Sequence, residues 1–71
     1  MGGETVGSNL RQKRLLAGLT QEELAARCGV TRQTIIAVER GNYVPSVLLA
    51  LKLAQTLDCR VEDLFYVNDT R

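Results

Sequence analysis

Three consecutive residues, Arg32, Gln33 and Thr34, carry the side chains of this 71-residue sequence best suited to specific polar recognition. An Arg or Gln at the start of a helix can address guanine and adenine edges through paired hydrogen bonds, while a Thr hydroxyl suits a phosphate oxygen or a thymine methyl. Ala37 and Arg40 fall on the same outward side, and Ile35 and Val38, three apart, mark the inward side. Catalysis finds no comparable material. The sequence has no His, no nucleophile beside a base, no Gly-rich phosphate loop and no group of ligands at metal spacing. Neither an enzyme nor a cofactor or small-molecule ligand is expected.

The elements that must hold these residues can be read from start and stop signals. The opening Met-Gly-Gly-Glu-Thr-Val-Gly-Ser lacks periodicity and bulk, so residues 1–8 are expected as a flexible end before a cap at Ser8 or Asn9. A first helix then runs to about Ala17, where Gly18 closes it. Thr20-Gln-Glu-Glu23 has the form of a capping box, hydroxyl at the N-cap and carboxylate at N3, and starts a second helix at Gln21. Leu24, Ala25 and Cys28 give that helix its apolar side, and Gly29 ends it. Thr31 caps the third helix, which ends at Arg40-Gly41. Pro45 restricts Val44, and Ser46 caps a fourth helix over about Val47 to Leu57, with Val47, Ala50, Leu53, Ala54 and Leu57 as its core stripe. A short fifth helix runs from Val61 to Phe65 or Tyr66, and residues 68–71 are expected as a flexible end. The fold class expected is all-α, with one five-helix domain over residues 9–67.

Bulk properties narrow the function classes. A chain this short buries a modest core, and without metal or disulfides such a domain commonly gains stability from a partner subunit. The net charge of +1 announces no polyanion by itself, but residues 1–40 carry six Lys or Arg against four acids, and residues 41–71 three against four. Any basic face belongs to the first half. Cys28 and Cys59 read as reduced core thiols, and no secretory or membrane-spanning run appears, so a cytoplasmic protein is expected.

Two short helices joined by a tight Gly-containing turn are the pattern of a helix-turn-helix, although many helical hairpins bind nothing. Gly18-Leu-Thr-Gln-Glu-Glu-Leu-Ala25, Gly29-Val-Thr-Arg-Gln-Thr-Ile35, Glu39-Arg-Gly41 and Pro45-Ser46 resemble the phage-repressor-like (Cro/C1-type, XRE) helix-turn-helix family over about residues 9–66, its short single-domain bacterial members in particular. That resemblance implies a lambda-repressor-like five-helix fold and a homodimeric transcriptional regulator, a repressor by the family's habit, on a pseudo-palindromic double-stranded DNA operator. It places Arg32, Gln33, Ile36 and Ala37 at base-facing positions and Thr20, Gln21, Thr34, Arg40 and Asn42 at phosphate-facing ones, with Gln21 also bracing the recognition helix. It pairs Arg14 with Glu39 across the first and third helices. Ile36 and Lys13 depart from the pattern. Ile36 stands where a polar residue is common and either meets thymine methyls or packs at an interface, and the Lys13 stem would snorkel along apolar surface.

The fourth helix is apolar on more than one side, because Leu48, Leu49 and Leu51 lie partly off its core stripe. A second copy of the chain is the expected cover, with Tyr66 and Val67 extending the seam. The competing reading is a protein-binding module, an antitoxin or adaptor that uses the same fold to dock a partner protein.

Overall fold

Each long helix of this chain starts where a hydroxyl can accept a backbone N–H that has no partner within the helix. The computed structural model describes residues 3–69, in the order β1 (Glu4–Ser8), α1 (Leu10–Leu16), α2 (Gln21–Cys28), α3 (Arg32–Glu39), α4 (Val47–Thr56), α5 (Val61–Leu64) and β2 (Phe65–Asp69). Thr20 Oγ1 accepts from the Glu23 N–H at 3.0 Å, and the Thr20 N–H donates to Glu23 Oε1 at 2.9 Å, closing the capping box ahead of α2. Hydrogen bonds from Thr20, first its backbone and then its side chain, hold the Glu23 carboxyl below the usual carboxylate range. This cap therefore contributes at neutral pH and is lost as pH falls through that lowered value. Thr31 receives the Thr34 N–H at 3.3 Å and Ser46 the Leu49 N–H at 3.1 Å. Ahead of α1 the expected cap resolves in favour of Ser8, whose Oγ accepts from the Leu10 N–H at 3.1 Å, while the Asn9 side chain makes no capping bond.

The core lies where the helices converge, around Leu10, Leu24, Ile35, Leu53 and Leu64, all at 0% exposure. α2 packs against both α3 and α4, and α4 against α5. Cys28 is buried among these residues, Cys59 packs beside them, and neither forms a disulfide. Burial, and then the nearby Asp63 charge, push the Cys59 thiol up, which keeps it protonated.

Three expectations are corrected. The chain is not strictly all-α, because β1 and β2 form a two-stranded antiparallel sheet with Val6 opposite Val67 and Gly7 opposite Tyr66. Residues 4–8 and 68–69, expected within flexible ends, belong to these strands, and residues 1–2 and 70–71 lie outside the described residues. The Tyr66 ring lies over Gly7, in space that a Cβ at that position would occupy, so a side chain there would push the ring aside. The α4 stripe is also rotated: Val47 is exposed at 77% whereas Leu49 is buried at 6%, so Leu49 belongs to the core and not to a free face. Leu49 and Leu53, like Ala50 and Ala54, stand one helical turn apart, and together they give one continuous inward face. Val47, first residue of the helix, leans toward the N-terminus and past the core.

Leu53, fully buried at the centre of this core, should be among the least replaceable positions. Leu53→Ala is expected to cost about 2–5 kcal/mol, through lost apolar burial and the cavity left behind. Urea unfolding followed by circular dichroism measures it, and a loss below about 1 kcal/mol would contradict the packing described.

Candidate nucleic-acid interface

The site begins with a turn of three residues. Gly29 takes φ 69°, a left-handed conformation that glycine adopts without a side-chain penalty, and the N–H groups of Gly29 and Val30 return to the carbonyls of Ala26 and Ala25. Thr31 then caps α3 directly. A turn this short leaves little freedom, so α3 is set across α2 with its inward residues, Ile35 and Val38, in the core. The opposite side is turned outward, with Arg32, Gln33 and Arg40 exposed and Thr34, Ile36 and Ala37 half-buried.

A second constraint fixes α3 against α1. Arg14 Nε donates to Glu39 Oε2 at 2.6 Å and Arg14 Nη2 to Glu39 Oε1 at 3.3 Å, a forked pair whose side chains are 9% and 5% exposed. The guanidinium is completed by Nη1, which donates to the Leu19 carbonyl at 2.9 Å. Gln21 joins from α2, its Nε2 donating to Glu39 Oε1 at 3.1 Å. One carboxylate thereby ties three helices together. Arg14, held in this way, is not free to take a phosphate, and the amide of Gln21 braces α3 through Glu39.

Around this cluster lies an open concavity of about 750 Å³ between α1, the start of α2 and α3. Thr20, Gln21, Arg32, Ile36 and Arg40, singled out from sequence, are brought together on its wall, and Arg11 of α1 lies beside them. Sequence reasoning passes over Arg11, although its place three residues before Arg14 on one helix is a usable signal. The wall carries four arginines against two glutamates, and one of each is consumed by the internal pair. At the mouth of α2 the capping box occupies Thr20 and the Glu23 N–H, while the N–H groups of Gln21 and Glu22 remain outside it, suited to an oxyanion.

The remaining predicted residues are placed elsewhere. Gln33, Thr34 and Ala37 stand on α3 outside the concavity wall, and Thr34 Oγ1 lies 3.2 Å from Thr31 Oγ1. Asn42 lines a separate, more apolar groove with Tyr43, Val44, Val6 and Val67, between the loop after α3 and the sheet. Of the residues expected at a dimer seam, Leu48, Leu51, Tyr66 and Val67 are exposed at 62%, 49%, 48% and 70%, and Leu49 is not available. Among the described residues no group of His, Cys, Asp or Glu has the arrangement of a metal site, and no helix is long and apolar enough to cross a membrane.

Comparison with known proteins agrees with this geometry. A family model described as helix-turn-helix matches residues 10–64. An uncharacterized HTH-type transcriptional regulator of Methanocaldococcus jannaschii is 48% identical over 62 residues, covering 87% of this chain and 94% of that protein. Another, of Methanothermobacter thermautotrophicus, is 52% identical over 61 residues, covering 84% and 88%. Among solved structures, the restriction-modification controller protein C.AhdI from Aeromonas hydrophila superposes with a TM-score of 0.71 at 41% identity, covering 76% of this chain and 82% of that one. The transcriptional regulator VanUg gives 0.78 over 97% of this chain and 92% of its own, at 20% identity, a likeness of fold alone.

The Arg14–Glu39 pair gives a quantitative expectation. Because both side chains are almost wholly buried, removing one strands the other, so Arg14→Ala or Glu39→Ala should each destabilise by about 3–5 kcal/mol. The double variant should lose much less than the sum. A double-mutant cycle in denaturant measures the coupling, and strict additivity would show that the pair does not hold the helices together.

Proposed function

The chain belongs to the Cro/C1-type helix-turn-helix family, and on that premise we propose that it regulates transcription as a homodimer bound to a pseudo-palindromic double-stranded operator, most simply as a repressor. The observation that carries this reading is the outward side of α3, where Arg32 and Gln33 are exposed beside a concavity rich in arginine. A helix fits the major groove of B-DNA, and Arg and Gln at its start suit guanine and adenine edges. Ile36 and Ala37 supply the apolar contact that a thymine methyl takes. Arg40 and Thr34 on α3, Thr20 and Gln21 at the start of α2, and Asn42 beyond α3 suit phosphates, which set register rather than sequence. Glu39, which would repel the backbone if free, is neutralised by Arg14.

The second copy is supported by the surface of α4. Leu48 and Leu51 are exposed three residues apart on one helix. The adjacent β2 residues point to opposite faces of the ribbon, Val67 lining the groove beside Asn42 and Tyr66 lying over Gly7, so the seam proposed rests first on α4. An isologous contact there would relate two α3 helices by a two-fold axis, and a spacing of about 34–36 Å between them would serve successive major grooves on one face of DNA.

Two measurements test this reading. Gln33→Ala should relax the preference at one base pair by about 1–3 kcal/mol while leaving binding to random duplex nearly intact; an unchanged consensus from binding-site selection would remove α3 from the role of reader. Leu51→Glu should give a folded monomer in sedimentation that loses operator affinity far more than random-duplex affinity, because two half-sites no longer act together. A wild-type protein that is monomeric at micromolar concentration would argue instead for docking of an unrelated protein on this face.

A further inference from the structure

On the reading of the concavity as a DNA-facing surface, we infer that Arg11 is a phosphate ligand of the DNA backbone, so that α1 grips the duplex together with α2 and α3. Arg11 and Arg14 stand three residues apart and so share one side of α1. Their environments differ sharply. Arg14 is 7% exposed and turned into the ion pair with Glu39, whereas Arg11 is exposed at the rim of the concavity that Arg32 and Arg40 also line.

The charge around that rim is unbalanced. With the Arg14–Glu39 pair set aside, Arg11, Arg32 and Arg40 face a single carboxylate on the wall, Glu22. Three guanidiniums around one concave surface repel one another, and an anion laid along it relieves that repulsion. A duplex whose major groove receives α3 carries its sugar-phosphate strands along both sides of that helix, and the side next to α1 is where Arg11 stands. Arg11 has the long planar donor fork that matches a phosphate, and Glu39, one of the two acids on the wall, is already taken by Arg14.

A phosphate contact of this kind carries no sequence information and acts through released counterions, so its mark is a salt dependence. Binding of the full-length protein to a selected operator and to a random duplex is measured across a range of KCl concentrations. Arg11→Gln should reduce the magnitude of the log–log salt slope by about 0.9 for each subunit bound and weaken both duplexes by a similar factor. Arg11→Lys, which restores the charge, should recover most of the slope. Arg27→Gln removes another exposed charge, from α2 and away from the concavity, and should leave the slope near that of the wild type. Circular dichroism establishes that each variant is folded, and Arg11→Ala, which also removes the charge, carries the comparison if Arg11→Gln is not. A wild-type slope for Arg11→Gln, or an equal fall for Arg27→Gln, overturns the assignment of Arg11 while leaving the DNA reading standing. A wild-type protein that shows no salt-dependent binding to either duplex overturns both.

Discussion

The geometry of the recognition face depends on one carboxylate taken out of water. Glu39 sits at the C-terminal end of α3 and accepts from Arg14 of α1 and Gln21 of α2, so three helices meet at two oxygen atoms. A buried ion pair of this kind is weak evidence for net stability, because desolvation offsets much of the attraction. Its value here is geometric. The guanidinium fork accepts one arrangement, and apolar side chains of similar size would allow α3 to slide or roll against α1. The same pair removes a negative charge from beside the arginine-lined concavity, so one interaction both orients the helix and clears its electrostatic field.

Much of this is legible in the sequence because the signals are local. Capping residues at Thr20, Thr31 and Ser46 each act on a backbone N–H three residues ahead, and Gly29 marks the turn that requires positive φ. Such signals need no knowledge of distant parts of the chain. The outward side of α3 can be read for the same reason, since the inward positions Ile35 and Val38 fix which residues remain. Arg14 with Glu39, by contrast, is accessible only through likeness to a family, as nothing in a separation of 25 residues announces a contact.

What is not legible is non-local. Each strand is five residues long, and β1 contains one apolar side chain besides its glycine, Val6. Its periodicity is too weak to declare a strand, and the partner of Val6 lies 61 residues away at Val67. The strand becomes favourable only where the ends of the helical bundle bring the two segments side by side, and there the Asn9 N–H donates to the Leu64 carbonyl at 2.7 Å just inside the ladder. The rotation of α4 escapes sequence reasoning for a related reason. From Val47 to Ala54 every residue except Lys52 is apolar, so composition does not say which side faces in; packing against α2 and α5 does. Gln21 is recognisable as a brace without its partner, because an amide can reach in several directions and only the assembled helices show Glu39 within its reach.

The pairing of β1 with β2 has a consequence for the order in which the molecule is made. The first strand leaves the ribosome with its hydrogen-bonding edge open, and the strand that completes it is synthesised only after all five helices. The helices have local contacts and can condense as they emerge, whereas closing the ladder joins residues more than 55 positions apart and carries the loop-closure entropy of nearly the whole described chain. Val6 therefore stays uncovered until the most non-local contact of the fold has formed. The small two-stranded ribbon acts as a clasp between the two ends of the described chain, and the Tyr66 ring can cover Gly7 only once it is closed.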